Sequence, residues 1–242
     1  MNRIKISPLA TAELKRASTS KVVFKPKGVA RQRSTAESSL FVPQHCESRH
    51  AYPLIVWLHG DAADSSELPR LMPNISTRNF FGVAPQSSFS PRCPIAWPNC
   101  VESHQAAYEQ VMRCVDDVTG RFNINSDRIF LVGSGSGGTM AIRLAFERPE
   151  IFAGVMSIDG PLDSGCVRLR DLDRCRELSV FLAGFRNSEA YPETDLCKDL
   201  RLLHSAGFST TVKQHPRQFR LDNKVLSDIN RWIMEHVASA IR

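Results

Sequence analysis

The fourteen residues from Arg128 to Ala141, RIFLVGSGSGGTMA, restrict what this chain can fold into more than any other part of it. Ile129–Val132 is an apolar, β-favouring run, and a glycine-rich turn from Gly133 to Gly138 ends it. A helix starts at Gly137 and runs to about Glu147, where Pro149 stops it. A strand that passes through so tight a turn directly into a helix is half of a β–α unit. It requires parallel neighbours for the strand and a sheet face for the helix.

The remainder of the chain supplies both. Leu40–Val42 reads as an edge strand, broken by Pro43. Pro53–His59 (PLIVWLH) and Phe80–Ala84 are continuous apolar runs of the kind buried in parallel sheets. Between Glu102 and Phe122, the residues Ala107, Val111, Val115, Val118 and Phe122 keep helical spacing. Phe152–Ile158 and Leu178–Ala183 read as further strands. A helix near Glu193–His204 ends at Ala206-Gly207, and Ser209–Lys213 reads as a last, polar strand. Val225, Leu226, Ile229, Trp232, Ile233 and Val237 form the apolar face of a closing helix. Alternating strands and helices imply an α/β fold, a three-layer sandwich with a mainly parallel sheet and helices on both faces. At 242 residues the chain can hold one such domain, expected over residues 37–242.

The stretch from Arg128 to Ala141 resembles the nucleophile elbow of the α/β-hydrolases, specifically of the phospholipase/carboxylesterase branch that includes the acyl-protein thioesterases. The resemblance covers about residues 38–240 and implies an α/β-hydrolase fold. It also places the family's functional positions on this sequence. Laid on without a gap, the elbow keeps Arg128, Leu131, Gly133, Gly137, Gly138, Met140 and Ala141, and puts Gly135 where the nucleophilic serine belongs. Ser134 and Ser136 flank it. The family's acid follows the strand Leu178–Ala183, and the matching residue is Asn187, with Glu189 the only nearby substitute. The closing-helix pattern Val225-Leu226-Ser227-Asp228-Ile229-Asn230-Arg231-Trp232 puts Phe219 at the position of the catalytic histidine. His215 lies four residues earlier. The oxyanion turn is retained as His59-Gly60, so the backbone N–H groups of Asp61 and Ser136 would supply the hole.

Each of these substitutions removes a chemical function. Glycine has no hydroxyl, asparagine cannot stabilise an imidazolium as a carboxylate does, and phenylalanine carries no base. The expected protein is therefore a catalytically silent pseudo-hydrolase that binds a small ester-like ligand or a protein partner. Its pocket would lie over Gly135, with His59, Gly60, Asp61, Ser134, Ser136, Asn187 and Phe219 around it. The alternative is an active carboxylic-ester or thioester hydrolase that uses Ser136 with a non-standard base such as His215.

Charge and cysteine content bound the remaining classes. Residues 1–36 hold nine Lys/Arg against the single acid Glu13, and the rest of the chain carries 22 basic and 24 acidic residues. The net charge of +6 therefore belongs to an N-terminal tail. Such a Ser/Thr-rich basic arm reads as a solvated, poorly ordered terminus rather than as a nucleic-acid or membrane contact. Seven cysteines with no regular spacing suggest free thiols and a cytoplasmic setting. Cys93, Cys100, His104 and Cys114 match no common zinc spacing, and the loop Gly133–Gly138 lacks the Lys-Ser/Thr of a nucleotide-binding loop. No metal or cofactor is expected.

Overall fold

The computed structural model describes residues 38–87, 96–98, 100–163, 171–216 and 221–239. The basic tail 1–36 and Phe219 lie outside the described residues. The strands are β1 (Ser38–Phe41), β2 (Tyr52–Leu58), β3 (Phe81–Pro85), β4 (Ile124–Ser134), β5 (Gly154–Ile158), β6 (Ser179–Phe185) and β7 (Ser209–His215). The helices are α1 (Leu68–Ile75), α2 (Val101–Arg121), α3 (Ser136–Glu147), α4 (Leu172–Glu177), α5 (Glu193–Ser205) and α6 (Asn223–Ser239). The strands form one sheet in the order β1-β3-β2-β4-β5-β6-β7. β1 pairs antiparallel with β3, and every other pairing is parallel. No helix among the described residues is long and apolar enough to cross a membrane.

The continuous apolar runs follow from burial on both faces. Every residue of β2, β3 and β5 is buried, and alternate side chains enter two separate cores. Leu54, Val56 and Leu58 join Val155, Val180 and Leu182 beneath α2, α3 and α5. Ile55 and Trp57 join Phe130, Val132, Met156 and Phe181 beneath α1 and α6, where Val225, Ile229, Trp232 and Ile233 close the layer. The three-layer sandwich expected from the sequence is the fold observed.

The differences are local and have physical causes. β4 is 11 residues long, and its pairing with β2 shifts register between Tyr52 and Leu54. The polar residues Asn125, Ser126 and Asp127 fall in that irregular part and conceal the strand's start. α1 carries prolines at its first turn and at Pro73, which read as breakers, yet Leu68, Met72 and Ile75 bury one face against the sheet. α4 is six residues, too short for a periodic signal, and Asp171 caps it by accepting the N–H of Arg174.

The elbow dictates how closely α3 meets the sheet. A Cβ on Gly137 would stand 2.4 Å from the carbonyl oxygen of Leu58 and 2.5 Å from that of His59. The backbone of β2 occupies that space and cannot yield as a flexible side chain would. Gly120, in the last turn of α2, has nothing within 4 Å of an added Cβ. Gly137→Ala should therefore destabilise the fold by about 3 kcal/mol or leave it insoluble. Gly120→Ala should stabilise it by about 0.5–1 kcal/mol through helix propensity. Denaturant melts of the two variants check the contrast.

Candidate functional site

β4 ends at Ser134 and α3 begins at Ser136, so Gly135 alone makes the turn. Its backbone angles are φ 55° and ψ −128°, a combination that side-chain-bearing residues adopt only under strain. Its N–H donates to the Ile158 carbonyl at 2.9 Å, and its carbonyl accepts the N–H groups of Gly138 and Thr139 at 3.0 and 3.2 Å. The apex is thus tied to β5 on one side and opens the helix on the other. Ser134 is buried beneath the turn, and an added Cβ on Gly60 would meet its Oγ at 3.0 Å. Ser136 is the first residue of the helix, one step past the apex.

Ser136 is engaged with a carboxylate rather than with an imidazole. Its hydroxyl donates to Oδ1 of Asp61 and accepts the N–H of Trp97 at 3.2 Å. The same Asp61 oxygen accepts the N–H of Ala96 at 2.8 Å, and Oδ2 lies 3.3 Å from where a Cβ on Gly135 would stand. The Asp61 carboxylate therefore sits against the elbow at the positive N-terminal end of α3, where a negative charge is favoured.

His59 holds the adjoining loop in place. Its Nδ1–H donates to the Gly60 carbonyl at 3.0 Å, which leaves Nε2 to accept the Ser87 N–H at 3.2 Å. The Trp97 indole N–H donates to the His59 carbonyl at 2.9 Å. The ring is 1% exposed, and burial holds it below the ordinary histidine range, hence neutral. Both nitrogens serve backbone groups, so His59 is a bracket for the loop rather than a ligand-presenting side chain.

The other expected positions lie at the carboxyl ends of β6 and β7. Asn187 and Glu189 are exposed in the turn after β6, where Arg186 donates its N–H to the His215 carbonyl at 2.9 Å. His215 ends β7, buried at 4% exposure and stacked on Phe185 with ring centroids 5.2 Å apart. Its Nε2 is 3.6 Å from Asp228 Oδ2 and has no hydrogen-bond partner among the described residues. Burial pushes its pKa down, with Asp228 opposing. No hydrogen bond joins His215 to Ser136 among the described residues. No group of three or more His, Cys, Asp or Glu that could hold a metal ion is found among the described residues.

One residue at the carboxyl edge went unread in the sequence. Asp159 directly follows β5 with φ 57°, left-handed for a non-glycine residue. Its side chain is 5% exposed, Oδ2 accepts the Ser188 hydroxyl at 2.8 Å, and burial raises its pKa while Ser188 opposes. An isolated Asp-Gly pair in a loop reads as a turn, so the sequence gives no signal for it. A raised carboxyl pKa means that stability is lost as pH climbs from the ordinary aspartate value through the raised one. Asp159→Asn should remove that loss. The Tm difference should move in the variant's favour as pH rises from about 4 to 7. Thermal melts across that range check the slope.

The fold is shared with solved esterases. A Bacillus cereus carboxylesterase matches 85% of this chain and 97% of its own at TM-score 0.67 and 14% identity. A Mesorhizobium loti carboxylesterase matches 76% and 90% at TM-score 0.63 and 16% identity. Arabidopsis thaliana SOBER1 matches 77% and 100% at TM-score 0.62 and 17% identity. In sequence, the curated protein NocK of Nocardia uniformis subsp. tsuyamanensis, which is given an esterase name, is 30% identical over 137 residues. That match takes in 53% of this chain but only 39% of NocK, so the chain spans about two fifths of that relative's length. No family model matches. Element order, sheet topology and these structural matches together give the chain the α/β-hydrolase fold, in the form carried by solved carboxylesterases.

Proposed function

We propose that this chain is a catalytically silent hydrolase homologue that binds a small ligand or a protein partner over its elbow. The observation that carries the reading is the backbone of Gly135: the residue in the strained apex conformation is the one without a hydroxyl. Ser136 sits a position too late, at the start of α3, with its hydroxyl directed at Asp61. A serine nucleophile needs an imidazole to take its proton and donors to receive the oxyanion. Here a carboxylate stands in for the first and crowds the second. Asn187, exposed after β6, offers no charge to orient a histidine. Phe219 extends the same reading to the base.

Hydrolysis of p-nitrophenyl butyrate should run no faster with the natural chain than with Ser136→Ala. Gly135→Ser alone should restore little, since a triad works as a unit. The combination Gly135→Ser, Asn187→Asp, Phe219→His and Asp61→Leu should raise the rate at least about tenfold over that control, provided thermal melts show it folded. A Ser136-dependent rate in the natural chain would defeat the proposal. Full recovery from Gly135→Ser alone would show that a working base and acid are already present.

A further inference from the structure

A serine and a histidine meet at the end of the sheet opposite the elbow. Ser179 is the first residue of β6, at the amino edge of the parallel strands, whereas the elbow leaves the carboxyl end of β4. The Ser179 hydroxyl is hydrogen-bonded to Nε2 of His236, a residue of α6 that lies 57 positions later in sequence. His236 Nδ1 stands 3.0 Å from the Trp232 carbonyl, one turn earlier in the helix. A carbonyl can only accept, so in the neutral ring Nδ1 carries the proton and Nε2 presents a lone pair. Ser179 is therefore the donor. A hydroxyl bonded to a free imidazole nitrogen, with the other nitrogen oriented by a third group, is the arrangement that activates a serine.

The surroundings fix both partners. The His236 ring packs edge-on against Phe130 and at a tilt against Trp232, with centroids 6.3 and 5.1 Å apart. Gly154 pairs with Ser179 between β5 and β6, and a Cβ there would stand 2.9 Å from the Ser179 carbonyl oxygen and 3.0 Å from Cη2 of Trp232. The glycine thus lets Trp232 close onto the strand that carries the hydroxyl. Neither Ser179 nor His236 is enclosed. Both are half-buried, so a small reagent can approach the pair from solvent.

The group that orients His236 also limits the chemistry. It is a neutral carbonyl, and it cannot stabilise an imidazolium as a carboxylate does. The pair can then act only on acyl donors with a good leaving group, such as aryl esters and thioesters. We infer that Ser179 is an acyl-acceptor site, modified by such donors with His236 as general base. Ser179 Oγ bonds to the donor's carbonyl carbon, and the bond from that carbon to the aryloxide or thiolate breaks. The hydroxyl proton passes to His236 Nε2 and from there to the leaving group, which leaves an ester on Ser179. This site is separate from the elbow and goes beyond the function proposed for it.

A brief exposure of the full chain to p-nitrophenyl acetate, quenched before tryptic digestion and followed by peptide mass spectrometry, tests the assignment. Peptide 177–186 has Ser179 as its only hydroxyl, thiol or amine side chain, and peptide 225–231 has only Ser227. Ser227 is exposed and its hydroxyl donates to the Asn223 carbonyl, so it reports an unactivated serine in the same sample. Ser179 should acquire acetyl at least about tenfold faster than Ser227, a modest share of what general-base assistance supplies. His236→Gln, shown by a thermal melt to be folded, should remove that advantage. Equal rates at the two serines, or an advantage that survives in folded His236→Gln, would each overturn the inference. If His236→Gln does not fold, the ratio of the two serines in the natural chain decides by itself.

Discussion

Everything in this molecule is arranged around one tight passage, the single residue that carries the chain from β4 into α3. Gly135 takes φ 55° and ψ −128°, and this lets a helix begin directly at the end of a central strand. The helix then lies on β2 at a distance only glycine permits at position 137. Because β4 sits between β2 and β5, the turn reaches both neighbours at once. The loop after β2 brings Asp61 to it, and the end of β5 brings Ile158 and Asp159. The same geometry that closes the sandwich gathers the candidate site.

On the proposed reading, the electrostatic character of that site works against ester hydrolysis. Ester hydrolysis needs a place where negative charge can develop. Here the turn presents the Asp61 carboxylate at the α3 N-terminus, bonded to Ser136 and to the Ala96 N–H. The helix end that would favour an oxyanion instead favours the protein's own anion. Trp97 and His59 hold the loop in that arrangement through bonds between backbone groups and side chains at 2.9–3.2 Å. The turn depends on backbone angles, whereas catalysis would depend on side chains.

The fold was legible because burial on both faces leaves long apolar runs: PLIVWL in β2 and IFLV in β4 admit few other readings. The elbow was legible from its glycines, and Gly135 proved to be the apex residue. Elements with weak periodicity escaped: α1 because its prolines look like breakers, α4 because six residues make no pattern. The bonding of the site was also hidden. That Asp61 would turn inward onto Ser136, or that His59 Nε2 would accept the Ser87 N–H, depends on contacts 75 and 28 residues apart in sequence. Asp159 was the largest omission, since its character comes from burial between β5 and β6 and not from any motif.

The central claim is that the apex of the elbow carries no nucleophile. A fluorophosphonate probe followed by peptide mass spectrometry addresses it directly, since the probe forms an adduct only with an activated hydroxyl. The account predicts no adduct on the peptide containing Ser134 and Ser136 at probe concentrations that label an active carboxylesterase completely. A stoichiometric adduct on Ser136 would contradict it.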